Sequence, residues 1–176
     1  MNRAPSELFN VGDVFGPYEV VRLVGKGTFG AVYEVLRGRL QTPRALKVLH
    51  AMWASEAQIV ARFQREAYAV AALRHKNIVA VHELDVIEGR HVIEMEYLTG
   101  ESLKDRLTRA PRLSVEEALD IVLPVISALQ ASHDREIVHR DIKPENIFLV
   151  TETDGNVVPK VLDFGVARMT EEGVEM

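Results

Sequence analysis

From Tyr18 onward, apolar and polar positions alternate in the manner of strands. YEVVRLVGKG (18–27) and AVYEVLRG (31–38) carry β-branched and aromatic residues around a glycine-rich turn, and RALKVLH (44–50) reads as a third strand. Between residues 55 and 73 the spacing turns helical: Ile59, Phe63, Val70 and Leu73 fall on one stripe, with Glu66 in its middle. Two more strands are predicted near 78–86 and 91–97, joined by a turn at Glu88-Gly89-Arg90. Past Gly100 the pattern is mainly helical. A short helix is predicted over 102–107 and a long one over 114–133, opened by a capping box from Ser114 to Glu117. Its predicted apolar face runs Val115, Ala118, Leu119, Val122, Val125, Ile126, Leu129. Pro124 should kink it, because the ring clashes with the Asp120 carbonyl. Short strands near 147–150 and 157–162 close the pattern. Residues 1–16 lack periodicity and read as a leader, followed by a strand-rich front (17–98) and a helix-rich back (99–176).

Composition narrows the class. Hydrophobic residues make up 47% of the 176 positions, enough for a packed core. A net charge of -5 and a pI near 5.7 argue against a nucleic-acid binder, which would usually carry a basic face. There is no cysteine, which rules out disulfides, thiolate metal sites and cysteine nucleophiles. The first residues, MNRAPSELFN, contain no secretory h-region. The apolar run IVLPVISAL (121–129) is too short to span a bilayer. These features point to a soluble, cytoplasmic protein with no membrane segment.

Four polar features stand out against this pattern. GKGTFG holds Gly25, Lys26, Gly27 and Gly30; alone it fits either a plain hairpin turn or a loop laid over phosphates, since glycine permits close backbone approach. No helix follows it, as a dinucleotide fingerprint requires, and the Walker pattern is absent. Lys47 lies in ALKVL with apolar neighbours on both strand faces, and Glu66 lies on the inward stripe of its helix. A lone buried charge is expensive, so two of opposite sign point to one ion pair. HRDIKPEN (139–146) gathers Asp141, Lys143 and Asn146, and Asp163 follows in LDFG. Carboxylate and amide oxygens suit Mg²⁺, a further carboxylate suits a hydroxyl proton, and a lysine suits a moving phosphoryl group; together they fit metal-assisted phosphoryl transfer. Six histidines show no metal-binding spacing. Glu94 and Glu96 share a strand face and read as solvated or hinge residues rather than an acid/base pair. Trp53 should pack at the start of the helix after it.

These elements, in this order, resemble the protein kinases, and most closely the bacterial Ser/Thr kinases. They are Gly25/Gly27/Gly30 with Val32, Ala45-Leu46-Lys47, Glu66, His139-Arg140-Asp141, Asn146 and Asp163-Phe164-Gly165. The resemblance implies an α+β, protein-kinase-like fold. It has a five-stranded antiparallel N-lobe with one long helix, followed by the beginning of a helical C-lobe. It implies an ATP- and Mg²⁺-dependent kinase acting on a protein Ser/Thr hydroxyl; the alternative is a non-catalytic module that binds nucleotide or docks a partner. By resemblance, Lys47 would hold the α- and β-phosphates and pair with Glu66. Asp141 would be the catalytic base, Lys143 would contact the γ-phosphate, and Asn146 and Asp163 would bind Mg²⁺. Val32, Ala45 and Phe148 would sandwich the adenine. Met95 would be the gatekeeper, with Glu96, Tyr97 and Leu98 as the hinge. Val70, His139 and Phe164 would form a spine, and Arg140 would grip a phosphorylated activation loop, for which Thr170 is a candidate. The family pattern continues beyond Met176 through further helices. The expectation is therefore a domain cut short after Asp-Phe-Gly, with part of the 114–133 helix bare.

Overall fold

The computed structural model describes residues 9–164. The chain divides into two compact units, Met1–Ala67 with Val81–Tyr97, and Tyr68–Ala80 with Leu98–Met176.

The first unit is an antiparallel sheet of β1 (Val14–Phe15), β2 (Tyr18–Lys26), β3 (Gly30–Arg37), β4 (Thr42–Leu49), β5 (Val81–Ile87) and β6 (Arg90–Glu96), in the order β1-β2-β3-β4-β6-β5. The five expected strands are present and a sixth, β1, precedes them. One sheet face buries Tyr18, Val20, Ala31, Tyr33, Val35, Leu46, Val48 and Val92. The other buries Leu49 and Ile93 against Phe63 and Ala67 of α1 (Ala57–Ala71). β4 therefore has both faces covered, as its apolar run requires. The leader expected through residue 16 is corrected over residues 9–16. Phe15 is fully buried, and Phe9 packs 4.6 Å from its ring. A two-residue strand is too short to show periodicity.

The second unit contains β7 (Gly100–Ser102), α2 (Leu103–Arg109), α3 (Val115–His133), β8 (Ile147–Thr151) and β9 (Val157–Val161), with a sheet ordered β7-β8-β9. β7 was not expected. It pairs Gly100 with Val150 so closely that a Cβ on Gly100, whose φ is +147°, would meet the Leu149 carbonyl oxygen at 2.0 Å. Ile78 and Val79, expected in the strand near 78–86, belong here instead: Val79 N donates to Val161 O (3.0 Å) and Val161 N to Asn77 O (2.8 Å).

The capping box of α3 is present in both directions, Glu117 N donating to Ser114 Oγ and Ser114 N to Glu117 Oε2. α3 runs through Pro124 without interruption. Its buried face differs from expectation. Ile121, Val125, Ala128 and Ser132 are buried, while Val115, Leu119, Val122 and Ile126 are exposed. The helix is apolar on more than one side, so spacing alone could not choose the face; packing against β9 did. Among the described residues no helix is long and apolar enough to cross a membrane.

Candidate active site

In the first unit, β2 and β3 meet at Gly27–Gly30, closed by Gly27 N donating to Gly30 O (2.8 Å). Gly25, Lys26 and Gly27 are exposed. Gly30 is glycine for packing: a Cβ there would stand 2.5 Å from the Val48 carbonyl oxygen, whereas one on Gly25 would meet nothing within 4 Å. Across the ladder Val32 faces Lys47, and Ala45 faces Met95. Lys47 Nζ donates to Glu66 Oε1 at 2.6 Å, with each side chain 19% exposed. The ion pair inferred from two misplaced charges is therefore formed. It is half-desolvated, so the carboxylate steers the ammonium while both keep some water. Met95 packs on the cluster beneath α1, Glu96 ends β6 opposite Arg44, and Tyr97 is the last residue of the unit.

The second unit assembles the polar loop. His139 is fully buried, with Nε2 2.8 Å from Leu162 O and Nδ1 3.2 Å from the Asp141 N–H. A carbonyl only accepts and an N–H only donates, so the ring is the neutral Nε2–H tautomer. Burial holds its pKa below the ordinary imidazole value, against the raising effect of the Leu162 bond. Its ring lies 4.6 Å from that of Phe164. Val70, the third expected spine residue, is buried in the same unit. Asp141 Oδ2 receives Lys143 Nζ (2.9 Å) and Asn146 Nδ2 (3.1 Å); Nδ2 also donates to the Asp141 carbonyl (2.9 Å). With its nitrogen so engaged, Asn146 offers its oxygen as the remaining donor atom. Leu162 N donates to Asn146 O (2.9 Å), which puts Asp163 one residue beyond that anchor. Arg140 and Asp163 both have left-handed backbones (φ 64° and 42°), a conformation that costs a non-glycine residue and collects at functional sites. Phe148 lies in β8 opposite Lys160, and Leu98 opens this part of the chain.

An amide oxygen and a carboxylate suit Mg²⁺, a hard ion that completes its shell with water and phosphate oxygens. Gly165, Thr170 and the acidic positions Glu171, Glu172 and Glu175 lie outside the described residues.

Sequence reasoning missed two arrangements. Glu94 is not solvated. It is 1% exposed and accepts from Tyr18 Oη (2.6 Å), Arg37 Nη1 (2.9 Å) and Arg44 Nε (3.0 Å). The arginines on β3 and β4 were its only signal, and reading them required the strand register. The second is a triad: Arg22 donates to Glu34 (2.7 Å) and to Tyr97 Oη (2.9 Å), and Tyr97 Oη donates to Glu34 (2.8 Å).

A family profile described as protein kinase domain matches residues 18–176. Serine/threonine-protein kinase PknD of Mycobacterium tuberculosis is 38% identical over 162 residues, covering 92% of this chain and 24% of that protein. Serine/threonine-protein kinase PrkC of Bacillus subtilis is 37% identical over 154 residues, covering 88% and 23%. The chain thus spans about a quarter of the length of these curated relatives. Among solved structures, the kinase domain of M. tuberculosis PknI superposes with a TM-score of 0.74 at 34% identity, covering 92% of this chain and 63% of that one.

Proposed function

The chain belongs to the protein kinase family, and from that premise we propose that it transfers the γ-phosphoryl group of Mg-ATP to a serine or threonine hydroxyl of a protein. The observation that carries this reading is the Asp141 carboxylate, held by Lys143 and Asn146 on one oxygen. In the proposed step the substrate hydroxyl oxygen bonds to the γ-phosphorus. The bond from that phosphorus to the β–γ bridging oxygen breaks, and the hydroxyl proton passes to Asp141. Lys143 offsets negative charge on the transferring group, and Lys47, steered by Glu66, holds the α- and β-phosphates. Asn146 and Asp163 are assigned to Mg²⁺, which when bound neutralises phosphate charge and keeps the transferring group in line. Gly25, Lys26, Gly27 and Gly30 are assigned to the phosphates. Val32, Ala45 and Phe148 are assigned to the adenine faces, Met95 to the gatekeeper position, and the hinge Glu96, Tyr97 and Leu98 to the adenine edge.

The names of the similar proteins and the run Lys143-Pro144-Glu145 favour Ser/Thr over Tyr as acceptor. The test is transfer of labelled γ-phosphate to a generic Ser/Thr protein substrate. Asp141→Asn keeps the hydrogen-bonding shape but cannot take a proton, so transfer should be lost while Mg-ATP binding remains. Equal rates in mutant and wild type would remove Asp141 from its role. Binding without transfer in the wild type would identify a nucleotide-binding docking module instead.

A further inference from the structure

The tip of the glycine hairpin is held from one side by the segment that follows β4. His50 N donates to Phe29 O (2.8 Å), His50 Nε2 lies 3.1 Å from Gly27 O, and Trp53 Nε1 donates to Thr28 O (3.2 Å). The rings of Phe29 and Trp53 pack with centroids 5.9 Å apart. All of these residues belong to the first unit. Because a carbonyl can only accept, His50 must carry its proton on Nε2. Three successive carbonyls of the loop are thus drawn toward residues 50–53.

A trans peptide is planar, with its N–H opposite its C=O. Fixing the Gly27 and Thr28 carbonyls on the His50–Trp53 side therefore turns the N–H groups of Thr28 and Phe29 the other way. Neither of these N–H groups donates a hydrogen bond among the described residues. Successive N–H groups turned to one side make an anion-binding surface. A loop of exposed glycines would otherwise sample many orientations of these peptides, because glycine carries the largest backbone entropy. We propose that His50 and Trp53 are positioning residues of the glycine loop: they latch its carbonyls so that the Thr28 and Phe29 N–H groups are presented to the phosphates of the nucleotide. The inference rests on the nucleotide reading above and adds to it the residues that orient the loop.

The test uses the full chain and two ligands that share the nucleoside and differ in the magnesium triphosphate, Mg-ATP and adenosine. His50→Ala and Trp53→Phe each remove one latch hydrogen bond, so each should weaken Mg-ATP binding by about fivefold and leave adenosine binding unchanged. His50→Gln, whose amide can donate to the same carbonyl, should recover most of the loss. A merely structural role would lower both affinities together, and that result overturns the proposal, as does unchanged Mg-ATP binding in both variants. A second arm needs no nucleotide. Trp53 is the only tryptophan, so acrylamide quenching of its fluorescence reports the latch directly. Phe29→Ala should increase quenching, and unchanged quenching overturns the contact. A wild-type chain that binds neither ligand overturns the nucleotide reading and this proposal with it. Wild-type binding with insensitive variants overturns the latch alone.

Discussion

Among the described residues Glu94 is the one fully buried carboxylate, and it lies two positions before Glu96, the first hinge residue assigned to the adenine edge. Its partners make that burial tolerable: two guanidiniums and a phenol supply donors to both oxygens. Burial and the hydrogen bond to Glu94 in turn hold the Tyr18 phenol above its ordinary range. Replacing Glu94 with Ala leaves these donors facing a void, and should destabilise the fold by about 3–5 kcal/mol. Urea unfolding of the variant checks this; a cost no larger than that of a surface substitution would show that the network contributes little. His139 makes a different prediction. Its folded pKa is depressed by burial, so the unfolded chain binds its proton first as pH falls. The associated stability is complete above the ordinary imidazole value of about 6.5 and declines as pH drops through it toward the folded value. Thermal melts from about pH 7.5 to about pH 5.5 should show the midpoint falling. A midpoint that rises over that window would contradict the buried neutral ring.

At the scale of elements, short-range chemistry decides where a segment begins and long-range contact decides what it buries. The start of α3 was legible because Ser114 and Glu117 satisfy each other's backbone N–H groups within one turn. Its buried side was not, because Leu119, Val122 and Ile126 are as apolar as Ile121 and Val125. Comparing faces tests the assignment. Ile121→Ala should cost about 2–5 kcal/mol, while Leu123→Ser, on a side chain 59% exposed, should stay within about 0.5 kcal/mol. Chemical denaturation of both variants checks it, and equal costs would mean that the helix is turned otherwise. The glycine hairpin shows the same division. Its turn was readable from three glycines, but only the structure separates Gly30, which the β3–β4 pairing needs, from Gly25, which nothing crowds.

For the whole molecule, nucleotide binding should appear as linkage. Mg-ATP at about a hundred times its Kd adds about 2.7 kcal/mol to the state that binds it, a midpoint rise of about 5–10 °C for a chain of this size. Chelating the magnesium should remove most of that rise, because Asn146 and Asp163 then have no ion through which to hold phosphate. A rise that survives chelation would place the affinity elsewhere. The order of chemical groups, the hairpin and helix starts, and the Lys47–Glu66 pair were determined by the sequence alone. Each rests on local spacing, or on a charge with no affordable position except beside its opposite. The tertiary structure alone decided the partners of Glu94, the proton position on His139, the place of Ile78 and Val79, and the latch on the glycine loop. In these cases the satisfying group is distant along the chain, as Tyr18 is from Glu94, or is a backbone carbonyl common to every residue. No pattern of residue types encodes such a partner; the folded backbone has to bring it there.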